Sequence, residues 1–198
     1  MIIVGLTGSI GSGKSFVGNF LKSKKIPIYH ADKEANKILE NDNLVKRKII
    51  KLFPNAYINK TINRTKLALI VFKDKKKLKK LESIIHPKVE QSKKKFLSFH
   101  KKKKTKLVVL EIPILFETKG HKNCNYTILV YVNKKEQFKR VLARKNMSKE
   151  KLKVILSNQM SNKKKKKMAD FTINNNFTKK KAREETKKIM EKILSTNL

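Results

Sequence analysis

Five short apolar runs punctuate the chain: IIVGLT at 2–7, IPIYHA at 26–31, KLVVLEI at 106–112, TILVYV at 127–132 and, more weakly patterned, FTIN at 171–174. Each is short, β-rich and without polar alternation, as expected of a parallel strand covered on both faces by helices. Between them apolar residues recur at helical spacing. Phe16, Val17, Phe20 and Leu21 mark a helix from Lys14 to about Lys24, and further helices are expected over about 134–145 and 178–194. Strands alternating with helices predict an α/β fold: a doubly wound, five-stranded parallel sheet with helices on both faces.

Two intervals break the alternation. From Asp32 to Lys104 the apolar spacing (Leu67, Leu69, Ile70, Val71, then Leu78, Leu81, Ile84, Ile85) predicts helices only. This is a helical lobe of about 33–104, inserted after the second strand. A second insertion, about 147–168, starts as a helix and continues into a basic, hairpin-like stretch. With 198 residues, the chain has room for one α/β domain carrying these two pieces.

Charge changes the picture less than its size suggests. The net charge is +36, yet only five of 51 basic residues are arginine: Arg47, Arg64, Arg140, Arg144 and Arg183. Lysine lacks the planar fork that base-edge and bidentate phosphate recognition favour. The lysines are therefore taken as a solvated exterior, with non-specific nucleic-acid binding at low salt and no specific nucleic-acid partner. Cys124 stands alone, which excludes an intrachain disulfide. The opening MIIVGLTGSIG resembles neither a signal peptide nor a membrane span, so a cytoplasmic protein without membrane contact is expected; a monomer is expected too, although nothing in the sequence sets the oligomeric state.

The chemistry begins where the first strand ends. Gly8-Ser9-Ile10-Gly11-Ser12-Gly13-Lys14-Ser15 follows a strand and opens a helix, the setting that a phosphate-binding loop requires. Its glycines let backbone N–H groups turn toward phosphate oxygens, and the helix N-terminus adds positive potential. Lys14 would reach the β- and γ-oxygens of ATP, and the Ser15 hydroxyl would ligate Mg²⁺. Such a loop serves switches, motors and kinases alike. The base-reading NKxD and the DxxG switch of small GTPases are absent, and the length is short for a motor.

Asp32 closes the second strand run, 18 positions after Lys14. At the carboxyl end of a parallel strand it would accept the proton of an attacking hydroxyl, or it caps the following helix. Ile85-His86-Pro87 is expected to close a helix. Glu111-Ile112-Pro113-Ile114-Leu115-Phe116-Glu117 runs out of the third strand. Arg140-x-x-x-Arg144, Gln159 and Ala169-Asp170-Phe171-Thr172-Ile173-Asn174-Asn175 follow.

In this order and spacing, together with GSGKS and His30-Ala31-Asp32, the motifs resemble the dephospho-coenzyme A kinase family over nearly the whole chain. The resemblance implies transfer of the ATP γ-phosphoryl group to the ribose 3′-hydroxyl of dephospho-CoA, with Mg²⁺. Asp32 then matches the catalytic carboxylate, Lys14 the phosphate lysine, and Arg144 the lid arginine bearing on the transferring phosphoryl. Arg140, one helical turn earlier, would share its face. Gly11, Ser12, Gly13, Lys14, Ser15, Phe16, Arg140 and Asn175 form the ATP side, with Glu111 near the Mg²⁺ waters. His86, Pro113, Leu115, Phe116 and Glu117 are expected at the acceptor, although a buried strand end and turn is the plain alternative for 113–117.

The chain departs from the pattern in three places. Phe16 stands where the family has threonine, His30 replaces the first aspartate of DAD, and Lys163–Lys167 replace a mixed lid. Lysine still neutralises phosphate but lacks the bidentate fork. Another P-loop small-molecule or nucleotide kinase is the first alternative; a nucleic-acid-associated P-loop NTPase is the second.

Overall fold

The computed structural model describes residues 1–145 and 147–196. It comprises two compact units, one built from Met1–Tyr29 and the chain from His100 onward, the other from His30–Phe99. The chain opens with β1 (Ile2–Thr7), α1 (Lys14–Ser23) and β2 (Ile28–His30). It continues through α2 (Ala31–Asn41), α3 (Asn43–Leu52), β3 (Tyr57–Ile58), β4 (Thr61–Ile62), α4 (Arg64–Phe72) and α5 (Lys75–Lys102). The last part is β5 (Leu107–Glu111), β6 (Tyr126–Tyr131), α6 (Lys134–Leu142), α7 (Lys149–Ser157), α8 (Asn162–Met168), β7 (Phe171–Asn174) and α9 (Lys179–Ser195).

The five predicted strands form one sheet of order β2-β5-β1-β6-β7, so the first strand is central. Its parallel register sets what lies beside its carboxyl end. Leu6 pairs with Glu111 of β5, and Thr7 with Leu129 of β6, while Tyr131 of β6 pairs with Asn174 of β7. Residues 8–13 leave the sheet between these strand ends, at the crevice where ligands bind in open α/β sheets. Val4, Leu6, Val109, Ile128, Val130 and Ile173 pack with Val17 and Leu21 of α1 and with Ala182, Met190 and Ile193 of α9. Burial of each large aliphatic side chain contributes about 1.5–3 kcal/mol, which anchors α1 and hence the loop before it.

The second unit has its own core of Leu39, Val45, Ile49, Phe53, Ala56, Leu67, Val71 and Ile85. Its helices start on side-chain caps. Asp42 accepts from Val45 N at 3.0 Å, and Asn63 accepts from Lys66 N at 3.0 Å.

Four expectations are corrected. Strand two is only Ile28–His30 rather than 26–31. The interval after it is not purely helical, because β3 and β4 pair antiparallel across Asn59 and Lys60, whose φ values of 48° and 60° suit a type I′ turn. His86-Pro87 closes nothing: Pro87 lies inside α5. Proline forfeits one amide donor there, while Ile84, Ile85 and Val89 nearby pack on the lobe core and hold the helix through it. The basic stretch 163–167 is a helix, α8, capped by Ser161, whose Oγ accepts from Lys164 N at 3.3 Å.

Candidate active site

The phosphate loop is shaped by where side chains are absent and by what ties its carbonyls away. Gly11 and Gly13 adopt φ of 78° and 93°, in the left-handed region. A Cβ at Gly11 would meet Val141 Cγ2 at 2.5 Å, and one at Gly13 would collide with the Asn175 amide. Asn175 Nδ2 donates to Ser12 O at 2.7 Å, and Gln137 Nε2 donates to Ile10 O at 2.7 Å. The carbonyls of residues 10 and 12 are thus tied to side chains, while the amides of Ile10 and Ser12 are themselves engaged, by Gln159 Oε1 at 3.3 Å and by Ser9 O at 3.1 Å.

Helix α1 begins without a side-chain cap at Gly13, whereas α3, α4, α6, α7, α8 and α9 each carry one. An N-terminus without a side-chain cap keeps its positive potential open to an anion, which suits phosphate. Ser12 Oγ is buried without a hydrogen-bond partner, a further donor in the same loop.

Several expected residues converge here. Arg140 is half-buried, with Nε 2.8 Å from Glu136 Oε1 and Nη2 donating to Asn175 O at 2.9 Å, so its guanidinium is held at the loop's edge. Ser15 Oγ donates to Glu111 Oε1 at 3.1 Å. A hydroxyl and a carboxylate are hard oxygen donors of the kind Mg²⁺ takes alongside substrate phosphates, so the pair fits that ion. Phe16, in the first turn of α1, packs on the core with Arg183 Cζ 5.4 Å from its ring centroid, so the departure from threonine is absorbed as a cation–π contact.

α6 stops at Leu142, leaving Arg144 exposed in the following turn, so helical phase does not set it on the face of Arg140. Asp32, exposed, occupies the first turn of α2 but is not its cap, which is His30. His86 is exposed on α5. Leu115 and Phe116, expected at the acceptor, take the plain alternative of a buried strand end and turn. Both are core, 0% and 3% exposed, Leu115 packing against Gly5 and Phe116 against the His121 ring at 5.2 Å. Pro113 and Glu117 are engaged by the chain itself: Pro113 O accepts from Thr7 Oγ1 at 3.1 Å, and Glu117 Oε1 accepts from Met160 N at 2.7 Å.

The pattern missed Thr7, Gln137 and Asn162. Ser9 Oγ donates to Asn162 Oδ1 at 2.6 Å, and Ile10 N to Gln159 Oε1 at 3.3 Å, so the second insertion touches the loop directly. These bonds span 106 to 153 positions, and no local signal reports them.

A phosphate loop leaving the central strand of a 2-5-1-6-7 parallel sheet, with an arginine at its edge and a Ser–Glu pair beneath, defines a P-loop kinase. The model of the dephospho-CoA kinase family matches residues 2–181. The chain belongs to that family, whose reaction is phosphate transfer from ATP to dephospho-CoA. It is 38% identical to the dephospho-CoA kinase of Bartonella henselae over 197 residues, covering 98% of this chain and 99% of that protein. Among solved structures, TT1252 from Thermus thermophilus aligns with a TM-score of 0.79 at 32% identity, covering 98% and 97% of the two chains. The dephospho-CoA kinase of Campylobacter jejuni aligns at 0.71 and 32%, covering 99% and 98%. No helix among the described residues is long and apolar enough to cross a membrane.

Proposed function

We propose that the chain moves the γ-phosphoryl group of ATP to the ribose 3′-hydroxyl of dephospho-CoA, yielding CoA and ADP, with Asp32 accepting the hydroxyl proton. The observation that carries the nucleotide side is the loop itself, with the carbonyls of Ile10 and Ser12 tied outward and its helix uncapped. Lys14, first residue of α1, bears on the β- and γ-oxygens. Arg140 and Arg144 supply the positive charge that a loose phosphoryl transition state needs. Ser15 and Glu111 would hold Mg²⁺, which supplies charge neutralisation between the two terminal phosphates. Asp32 sits in the first turn of α2, directly after the end of β2 and two positions past the cap residue His30. Pro113 and Glu117 leave the strand beside the loop and belong to the acceptor side, as does His86.

A nucleic-acid role would need exposed aromatics free to stack on bases. The chain has no tryptophan, and Tyr29, Tyr57, Tyr126 and Tyr131 are not grouped with the lysine runs along the sequence. This favours a small-molecule acceptor. A coupled ADP-release assay with dephospho-CoA, a panel of nucleotides and single-stranded RNA tests the reading. ADP release matched by CoA formation is expected with dephospho-CoA alone; turnover that needs RNA would overturn it.

A further inference from the structure

The run Lys163–Lys167 is uniform in sequence but not in structure. Lys163, Lys164, Lys166 and Lys167 are exposed, while Lys165 is 0% exposed. Its Nζ donates to Pro113 O at 2.8 Å and lies 2.9 Å from Glu117 Oε1. A helix position facing inward is ordinarily apolar, and a buried ammonium persists only where acceptors compensate for its lost water. Both acceptors belong to the loop after β5. The same Glu117 oxygen also takes the Met160 amide, so one carboxylate holds the segment just before α8 and the middle of that helix together.

These bonds join those of the phosphate loop into a closed circuit. Thr7, the last residue of β1, donates to Pro113 O; Lys165 donates to the same oxygen; α8 carries Asn162, which meets Ser9, and Gln159 just before it meets Ile10. The circuit leaves β1 on one side of Gly8 and returns on the other. We propose that Lys165 is a positioning residue for phosphoryl transfer: by docking α8 on Pro113 and Glu117 it seats Gln159 and Asn162 on residues 9–10 and closes the phosphate loop to water. This rests on the kinase reading. The four other lysines of the run are exposed, and the buried fifth supplies location.

Loss of that seat has a chemical signature beyond instability. A loosened lid admits water, whose oxygen attacks the γ-phosphorus. The bond to the β–γ bridging oxygen breaks, ADP departs, and the water proton passes to solvent, giving ADP and inorganic phosphate without CoA. The experiment measures ADP and CoA formed together, per folded enzyme, in wild type, Lys165→Met, Lys165→Arg and Lys164→Met.

In Lys165→Met, CoA formation is expected to fall about tenfold and the ADP-to-CoA ratio to rise from near one to about two or more. Lys165→Arg recovers part of both, and Lys164→Met keeps the ratio near one. A ratio near one in Lys165→Met would reduce Lys165 to a stability residue, and an equal rise in Lys164→Met would make net charge the cause. Either result overturns the proposal. Should Lys165→Met not fold, Glu117→Gln must raise the ratio; no rise overturns it as well. A wild type that makes no CoA would sink the kinase reading instead, which keeps the two failures apart.

Discussion

Around the phosphate loop, five side-chain hydrogen bonds join residues more than a hundred positions apart: Thr7–Pro113, Ser9–Asn162, Ile10–Gln159, Gln137–Ile10 and Asn175–Ser12. In the lobe of residues 30–99, the cap bonds at Asp42, Asn63 and Asp74 span two or three positions, although Ser92–Glu34 and Lys88–Asp42 reach further. What unites the lobe is its apolar cluster from Leu39 to Ile85. Apolar packing is non-directional and tolerates small shifts of one helix against another, whereas a hydrogen bond weakens steeply with angle. The phosphate loop is thus built for position and the lobe for cohesion. Substitutions in the first should act on catalysis, and those in the second on stability.

The largest expected effect tests the boundary of that rule, because its residue belongs to the lobe. Asp32→Asn should cut turnover about 100-fold or more, the scale of general-base loss, with ATP affinity nearly unchanged. Steady-state turnover and equilibrium ATP binding measure both; near-normal turnover would reduce Asp32 to a first-turn charge on α2. Next comes Gly13→Ala. The added methyl enters the Asn175 amide at a φ of 93°, so Asn175 must release Ser12 O. Strain of this kind costs on the order of 1–3 kcal/mol, which predicts about a tenfold rise in KM for ATP. If the thermal midpoint falls while KM stays put, the loop is no more position-critical than the lobe.

Legibility divides along the same line. The five strands and the phosphate loop were visible because their signals are local: apolar runs, glycine spacing, and a strand before a helix. The circuit through Lys165 was not, since five identical lysines carry no pattern that tells which one turns inward. Leu115 and Phe116 look like pocket wall in a strand-end motif. Only the tertiary neighbours, Gly5 for one and His121 for the other, make them core. In the lobe, helical periodicity carried most of the interval but passed over β3–β4, two residues per strand. Asn59 between β-branched Ile58 and Thr61 was the available cue. Pro87 shows the converse error, a strong local stop signal overridden by apolar packing on either side.

The smaller predictions concern cohesion. Ile49→Val removes one methylene at a fully buried position of the lobe core, and should cost about 1 kcal/mol in urea unfolding with turnover unchanged. A change in KM of the size expected for Gly13→Ala would mean the lobe core is also tuned for position. Asp42 gives the smallest effect and a sign that pH can read. The amide of Val45, then the Lys88 ammonium 2.9 Å away, hold its carboxyl below the ordinary value of 3.8. A lowered folded-state value means stability that is fully present above the unfolded value of about 3.9 and is lost as pH falls through the folded one. Asparagine caps about as well as aspartate but does not titrate. Asp42→Asn should therefore lower the urea midpoint slightly at pH 7, and the gap to wild type should close below about pH 4. A gap constant from pH 7 to pH 3 would show that the carboxylate charge does nothing there, and that the lobe's caps act through hydrogen bonding alone.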